Sequence, residues 1–239
     1  MSYKYKTELH CHTKHVSRCA DHDAEGIVEA YLKAGYSSIV ITDHLSAHTL
    51  EHLKERPLSE QMEFFVSGYR KVKEAARGRL NVLMGAEVNF AGTMGTDYLM
   101  LGLEEEFYHR CPDVYLQTKY WTASLVRNNG GLFFQAHPFR CNCAVTEDWV
   151  LDGIEVFNGH PTQNNHNRIA REWAKEYPKF ICISGSDHHD AFMEPTAGIL
   201  TEEPVVSEKQ LIEVLKSGRF ELICDREARE RSRIANPYK

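Results

Sequence analysis

Seven histidines and carboxylates of this chain stand where apolar, strand-like runs end. They are His10 and His12 in Glu-Leu-His-Cys-His-Thr, His44 after Ile-Thr-Asp, Glu87 in Gly-Ala-Glu, His137 in Gln-Ala-His-Pro, and Asp187 with His189 in Gly-Ser-Asp-His-His. Imidazoles and carboxylates together form a donor set for divalent zinc, manganese or iron. His10 and His12 flank one residue, so on a strand they point to one face, where two imidazoles can hold one metal. Glu87 closes an apolar run over 80–86, where an unpaired carboxylate is costly to bury, and so calls for a cation. Asp187 and His189 repeat the one-residue spacing beside Gly185, which lets the backbone come close to a cavity. Side chains leaving one end of parallel strands converge on one cavity. More than one metal is therefore expected there.

That convergence needs a sheet, and the hydrophobic pattern supplies one. Strand-like runs fall at 7–12, 38–42, 80–87, 97–101, 132–137, 154–157 and 180–184, with helical periodicity at 24–34, 62–76, 115–128 and 165–177. Alternation of this kind predicts parallel pairing, because parallel strands need long crossovers, and hence an α/β architecture with outer helices. A length of 239 residues, 42% hydrophobic and 26% charged, suits a single barrel domain over 1–239 rather than a disordered chain. The charged stretch from about 226 is expected to be a solvated tail, or failing that a partner-contacting one.

The formal charge of -6 argues against broad capture of a nucleic-acid backbone. No run approaches the roughly 20 apolar residues of a membrane span, and the first residues lead into a strand rather than an apolar signal core, so a cytoplasmic location without membrane contact is expected. No dedicated protein partner is implied. The seven cysteines are scattered, which predicts reduced thiols, and Cys141-Asn142-Cys143 lacks the second pair of a metal site. His48 and His52 share a helical spacing with His44 but are expected outside the site. His188 should point away from its two neighbours, and His160 ends a strand where it can line the cavity.

Taken in order, Glu-Leu-His-Cys-His-Thr, Ile-Thr-Asp-His, Gly-Ala-Glu, Ala-His-Pro-Phe-Arg and Gly-Ser-Asp-His-His resemble the PHP family, named for its polymerase and histidinol phosphatase members, across residues 8–189. The resemblance implies a distorted (β/α)7 TIM-like barrel and a site for two to three divalent metal ions used in phosphoester hydrolysis. On it, one metal takes His10, His12, Glu87 and Asp187, and Glu87 bridges to a second that also takes His137. His44 and His189 hold a third. Two positions depart from the common pattern. Asp97 stands where the second metal usually gains a histidine, and it can substitute as a hard ligand. The third metal's further ligand falls in the loop containing Ser17, Cys19, Asp21 and His22.

With metals bound through Glu87 and Asp187, a metal-activated water would attack phosphorus in line. Arg140, three residues past His137, is placed to fork onto phosphate oxygens. The expected activity is that of a phosphoesterase acting on a small phosphorylated metabolite or a nucleotide, with an oligonucleotide end left open. One alternative is a metal-dependent hydrolase of C–N or C–O bonds, for which the nearest carboxylated-lysine candidate, Lys119, falls in a predicted helix. The other is a metal-binding module without chemistry.

Overall fold

The computed structural model describes residues 3–93 and 95–237. The strands are β1 (Tyr5–Cys11), β2 (Tyr36–Ile41), β3 (His44–Leu45), β4 (Asn81–Asn89), β5 (Asp97–Leu101), β6 (Leu132–Gln135), β7 (Gly153–Asn158), β8 (Ile181–Gly185), β9 (Ala197–Thr201) and β10 (Glu221–Cys224). The helices are α1 (Ala24–Lys33), α2 (Leu58–Ala76), α3 (Glu105–Arg110), α4 (Lys119–Asn128), α5 (Asn167–Ala174), α6 (Glu208–Ser217) and α7 (Arg226–Ala235). All seven expected strands are present, joined by β3, β9 and β10.

The sheet runs β10-β9-β1-β2-β4-β5-β6-β7-β8, with β3 beside β4. Just beyond β8, His188 bridges in parallel to Cys11. There the His12 amide donates to the His188 carbonyl at 2.9 Å and the His188 amide to His10 at 3.2 Å. The two sides of the path thus meet in a nearly closed, barrel-shaped sheet. One expectation needs correction: β5 runs antiparallel to both β4 and β6. Only residues 90–96 separate β4 from β5, too few for the dozen or more that a parallel crossover requires.

Two apolar layers follow from strand alternation. Leu9, Val40, Leu83, Leu99, Phe134 and Ile183 fill the barrel, whereas Ile39, Ile41, Met84, Phe133 and Ile154 face the helices. α6, capped by the Ser207 side chain and ended by left-handed Gly218, adds Leu211, Ile212 and Leu215 to the inner cluster. Each of these, fully buried, contributes about 1.5–3 kcal/mol. The Glu208 carboxylate accepts the Met84 amide at 2.9 Å, fixing α6 across the barrel's lower side and leaving the opposite mouth for the donors.

The charged stretch from 226 is not a solvated tail. It folds as α7, capped by Asp225, with Ala228 and Ser232 buried. Arg231 grips Glu194 through two bonds, and Arg229 donates to the carbonyls of His160 and Gln163.

Gly185 ends β8 where a side chain has no room: an added Cβ would lie 2.3 Å from His10 Cβ and 2.6 Å from Glu155 Oε1. Gly185→Ala is therefore expected to destabilise the fold by about 1–3 kcal/mol. Thermal denaturation checks this, and an unchanged melting temperature would remove the close approach from the account.

Candidate metal centre

The local backbone explains how each donor reaches the mouth. A register shift in β1 between Glu8 and Cys11 breaks its alternation, so that Leu9 faces the inner core, Cys11 the outer one, and His10 and His12 turn to the mouth. Glu87 continues the inward row of Leu83, and β3 sets His44 directly across from it. His137 and Asp187 follow β6 and β8 with φ of 28° and 51°, a region that non-glycine residues rarely occupy and that functional sites retain.

Glu87 is the hub. Its Oε1 lies 3.2 Å from His10 Nε2 and 3.1 Å from His137 Nε2, and its Oε2 lies 3.3 Å from His12 Nε2 and 2.9 Å from His44 Nδ1. Asp187 Oδ1 is 3.4 Å from His10 Nε2, His12 Nε2 and His189 Nδ1. Asp97 Oδ2 stands 3.8 Å from His137 Nε2. Three donor groups able to hold a cation result: His10, His12, Glu87 and Asp187; Glu87, Asp97 and His137; and His12, His44 and His189. His10, His12, His44, Glu87, Asp97, His137, Asp187 and His189 each fall in at least one of them, whereas Cys19, Asp21 and His22 of the loop fall in none.

The donors fit cations better than they fit one another. His10 Nε2, His12 Nε2 and Glu87 Oε2 are buried yet make no hydrogen bond, although buried polar atoms nearly always have a partner. The Glu155 carboxylate can only accept, so His10 donates from Nδ1 to Glu155 Oε1 at 3.0 Å and turns the Nε2 lone pair inward. Ser17 gives its proton to Asp43 at 2.7 Å and faces His12 Nδ1 at 3.2 Å, so His12 likewise presents Nε2.

Electrostatics agree. Burial opposes ionisation of Glu87, but His10 and His44 hold it well below the usual carboxylate range. Asp187 is held low against burial by His10 and Arg140. Burial and the neighbouring His189 and His44 push His12 well below the imidazole range. His10 is raised, against burial, by Glu87, Asp187 and Glu155. A cation would take the place of the proton that His10 shares with this acidic cluster.

Solvent reaches the cluster past His44 and Arg140, whose side chains are 26% and 20% exposed. Arg140 is at the site but already engaged. Nη2 bonds Asp187 Oδ2 at 2.5 Å and Asn158 Oδ1 at 3.2 Å, while Nε bonds Asn165 at 2.7 Å. His160 meets His189 edge-on at 5.5 Å. His188 turns away to pair with His22 at 2.8 Å, His48 is exposed and His52 packs on Phe64. All seven cysteines are free, and the Cys143 thiol lies 3.7 Å from His137 Nδ1. Lys119 begins α4 and pairs with Glu147 at 2.7 Å. A cleft of about 770 Å³ beside α2, lined by Lys14, His15 and Lys71 among others, holds none of the donors.

Two buried carboxylates of the site do not emerge from sequence reading. Glu155 accepts His10 Nδ1, the His137 amide at 3.0 Å and Asn158 Nδ2 at 2.8 Å. Glu8 accepts the amides of Leu9, His10 and Ser186 and the Tyr31 hydroxyl, each within 3.0 Å, and burial pushes it up to about 7. Glu155→Gln keeps the size but puts an amide N–H against one of these donors. Metal affinity is expected to fall about 10–100-fold, as read by competition with a chromogenic chelator; unchanged affinity would mean that Glu155 does not orient His10.

The PHP domain model matches residues 8–216. The chain belongs to the PHP domain family. Among PHP-like structures similar to it is a two-domain protein from Bacteroides vulgatus, described as containing a predicted PHP-like metal-dependent phosphoesterase. It has 16% identity and a TM-score of 0.65 over 92% of this chain, which spans only 65% of that protein. PsfC from Pseudomonas syringae superposes with a TM-score of 0.68 at 13% identity, over 99% of this chain and 98% of its own. The lesion-specific endonuclease PfuEndoQ from Pyrococcus furiosus gives 0.60 at 14% identity, over 91% of this chain and 57% of its own. No curated protein is similar in sequence. At these identities the neighbours speak for the PHP fold, a TIM-like barrel, while the family assignment rests on the domain match. The His, Asp and Glu clusters form groups that could hold a metal ion. Among the described residues no helix is long and apolar enough to cross a membrane.

Proposed function

We propose that this PHP protein is a multinuclear metal-dependent phosphoesterase that hydrolyses a small phosphorylated metabolite or a nucleotide. The observation that carries the reading is the sharing of donors, with Glu87 common to two cation-holding groups and His12 common to two. His10, His12, Glu87 and Asp187 would hold one cation, Glu87, Asp97 and His137 a second, and His44 with His189 a third. Bound divalent cations supply Lewis acidity, which acidifies water and offsets charge on phosphoryl oxygens. The protein's own contribution is orientation: Glu155 and Ser17 aim the two β1 imidazoles, and Arg140 with Asn158 steadies Asp187. Water attacks phosphorus opposite the leaving alkoxide, and no protein nucleophile is required.

The Arg140 side chain is 20% exposed beside the cluster, and its guanidinium is the charge proposed to meet a phosphate oxygen. Arg140→Ala is expected to raise KM about tenfold or more and, because Nη2 also braces Asp187, to lower metal content as well, but by less than it raises KM. An unchanged KM for every hydrolysed substrate would remove Arg140 from phosphate binding. The acidic chain favours small substrates; the endonuclease neighbour keeps a nucleic-acid end on the panel. Phosphate release from sugar phosphates, amino-alcohol phosphates, mononucleotides, bisphosphates and short oligonucleotides, beside amide and lactone turnover, tests the proposal. Turnover confined to amides or lactones, or binding of metal without any turnover, would contradict it.

A further inference from the structure

We propose that Arg229 of α7 is a positioning residue for phosphate binding: it grips the loop over 159–166 and, through Asn165, holds the Arg140 guanidinium in place. The inference rests on the reading of Arg140 as the phosphate-binding cation and adds to it the part of the chain that aims it. α7 lies beyond residues 8–216, the stretch that the PHP domain model matches.

The loop joins β7 to α5 without regular structure of its own. Its two ends close on Asn158. The His160 amide donates to Asn158 Oδ1 at 3.1 Å, and Asn165 Nδ2 donates to the same oxygen at 2.7 Å. Its middle is held from α7: Arg229 Nε donates to the His160 carbonyl at 3.1 Å, and Nη2 to the Gln163 carbonyl at 2.9 Å. A guanidinium carries these donors in a fixed fork, so the two bonds set the spacing of the carbonyls as well as their direction. Thr162, Gln163 and Asn164 are exposed, and water can compete for each carbonyl once the fork is gone.

Arg140 is where this loop meets the site. Its Nη2 bonds Asp187 and Asn158, which the ends of β8 and β7 carry, whereas its Nε bonds Asn165 Oδ1 at 2.7 Å, a contact that the loop supplies. Attachment at Nη2 alone lets the guanidinium plane swing. A second attachment at Nε fixes it, and a fixed plane is what a fork onto phosphate oxygens requires. Displacing Asn165 therefore loosens Arg140 while its bond to Asp187 remains.

Arg229 can be changed without undocking α7. The Asp225 amide donates to the Thr196 carbonyl at 2.8 Å, Ser232 Oγ accepts the Glu194 amide at 2.8 Å, and Arg231 holds the Glu194 carboxylate through two bonds. Ala228 is buried against the barrel. These contacts keep the helix in place and leave the half-buried Arg229 to the loop.

Calorimetric titration of the manganese-loaded full chain with inorganic phosphate tests this directly. Arg229→Ala is expected to weaken phosphate binding about twofold to tenfold, the size of one hydrogen bond's net contribution, with bound metal unchanged because Arg140 still braces Asp187. Arg229→Met, which keeps the apolar stem, should do the same, and Arg229→Lys, with a single ammonium for the two carbonyls, should recover part of the loss. Circular dichroism checks that each variant folds. Arg231→Met, on the same helix but bonded to Glu194, should bind phosphate as the parent does. On an Arg140→Ala background, Arg229→Ala should weaken binding no further, since the two residues act in one chain of contacts. Parental phosphate affinity in Arg229→Ala and Arg229→Met, or a loss of equal size on the Arg140→Ala background, overturns the inference and leaves the Arg140 reading standing. Parental affinity in Arg140→Ala itself overturns both.

Discussion

Glu87→Gln is expected to lower bound metal by two equivalents and phosphate release by roughly 10³-fold or more, more than a single preorganised contact supplies. Glutamine keeps the length of the side chain but loses its charge and presents an N–H₂ where a lone pair is needed. Two of the groups that could hold a cation include this carboxylate, and four imidazoles face it within 3.3 Å. The substitution also leaves those imidazoles without the carboxylate that now offsets them. Metal analysis beside a turnover assay checks the prediction. A variant that retained full metal content and near-normal turnover would show that Glu87 does not bridge, and the multinuclear reading would have to be abandoned.

Chelation should have the second large effect, on stability rather than rate. A ligand that binds only the folded chain stabilises it by about 4 kcal/mol when present at 1,000 times its dissociation constant. For a chain of this size each kcal/mol corresponds to roughly 2–4 °C, so removing the cations is expected to lower the melting temperature by about 8–16 °C. The buried, unbonded Nε2 atoms of His10 and His12 and Oε2 of Glu87 are the physical reason: without a cation their lost hydration is not compensated. Differential scanning fluorimetry with and without chelator is sufficient. Identical melting curves would mean that these atoms hold no tightly bound metal.

Much of the site was legible because its donors terminate apolar runs. Glu87 and Asp187 stand out as charges that cannot lie unpaired against residues such as Leu83 and Ile183. The strand that begins at Asp97 was visible too, but its direction was not, since alternation along a strand is the same for either sense; only the short 90–96 connection encodes it. Glu155 carried the same signal as Glu87, a carboxylate inside Gly-Ile-Glu-Val-Phe-Asn, without a histidine beside it to draw notice. β9 and β10 are harder to read. Ala197–Thr201 contains Gly198 with φ of 132°, a weak strand former by composition, and its pairing depends on β1 almost two hundred residues earlier. α7 reads as a solvated run because its charges dominate; what docks it is the small pair Ala228 and Ser232 and the arginine bonds to Glu194 and to the loop carrying His160.

The central claim is that cations held by these donors drive phosphoester hydrolysis, and metal content and turnover measured on the same samples test it most directly. Metal-stripped protein would be reloaded stepwise with zinc, manganese or iron, with bound metal counted and phosphate release assayed at each step, beside Asp187→Ala treated identically. Turnover that is absent in the stripped protein, rises with bound metal and is lost in Asp187→Ala is the predicted result. Turnover that persists after complete stripping, or a fully loaded protein that releases no phosphate from any substrate on the panel, would contradict it.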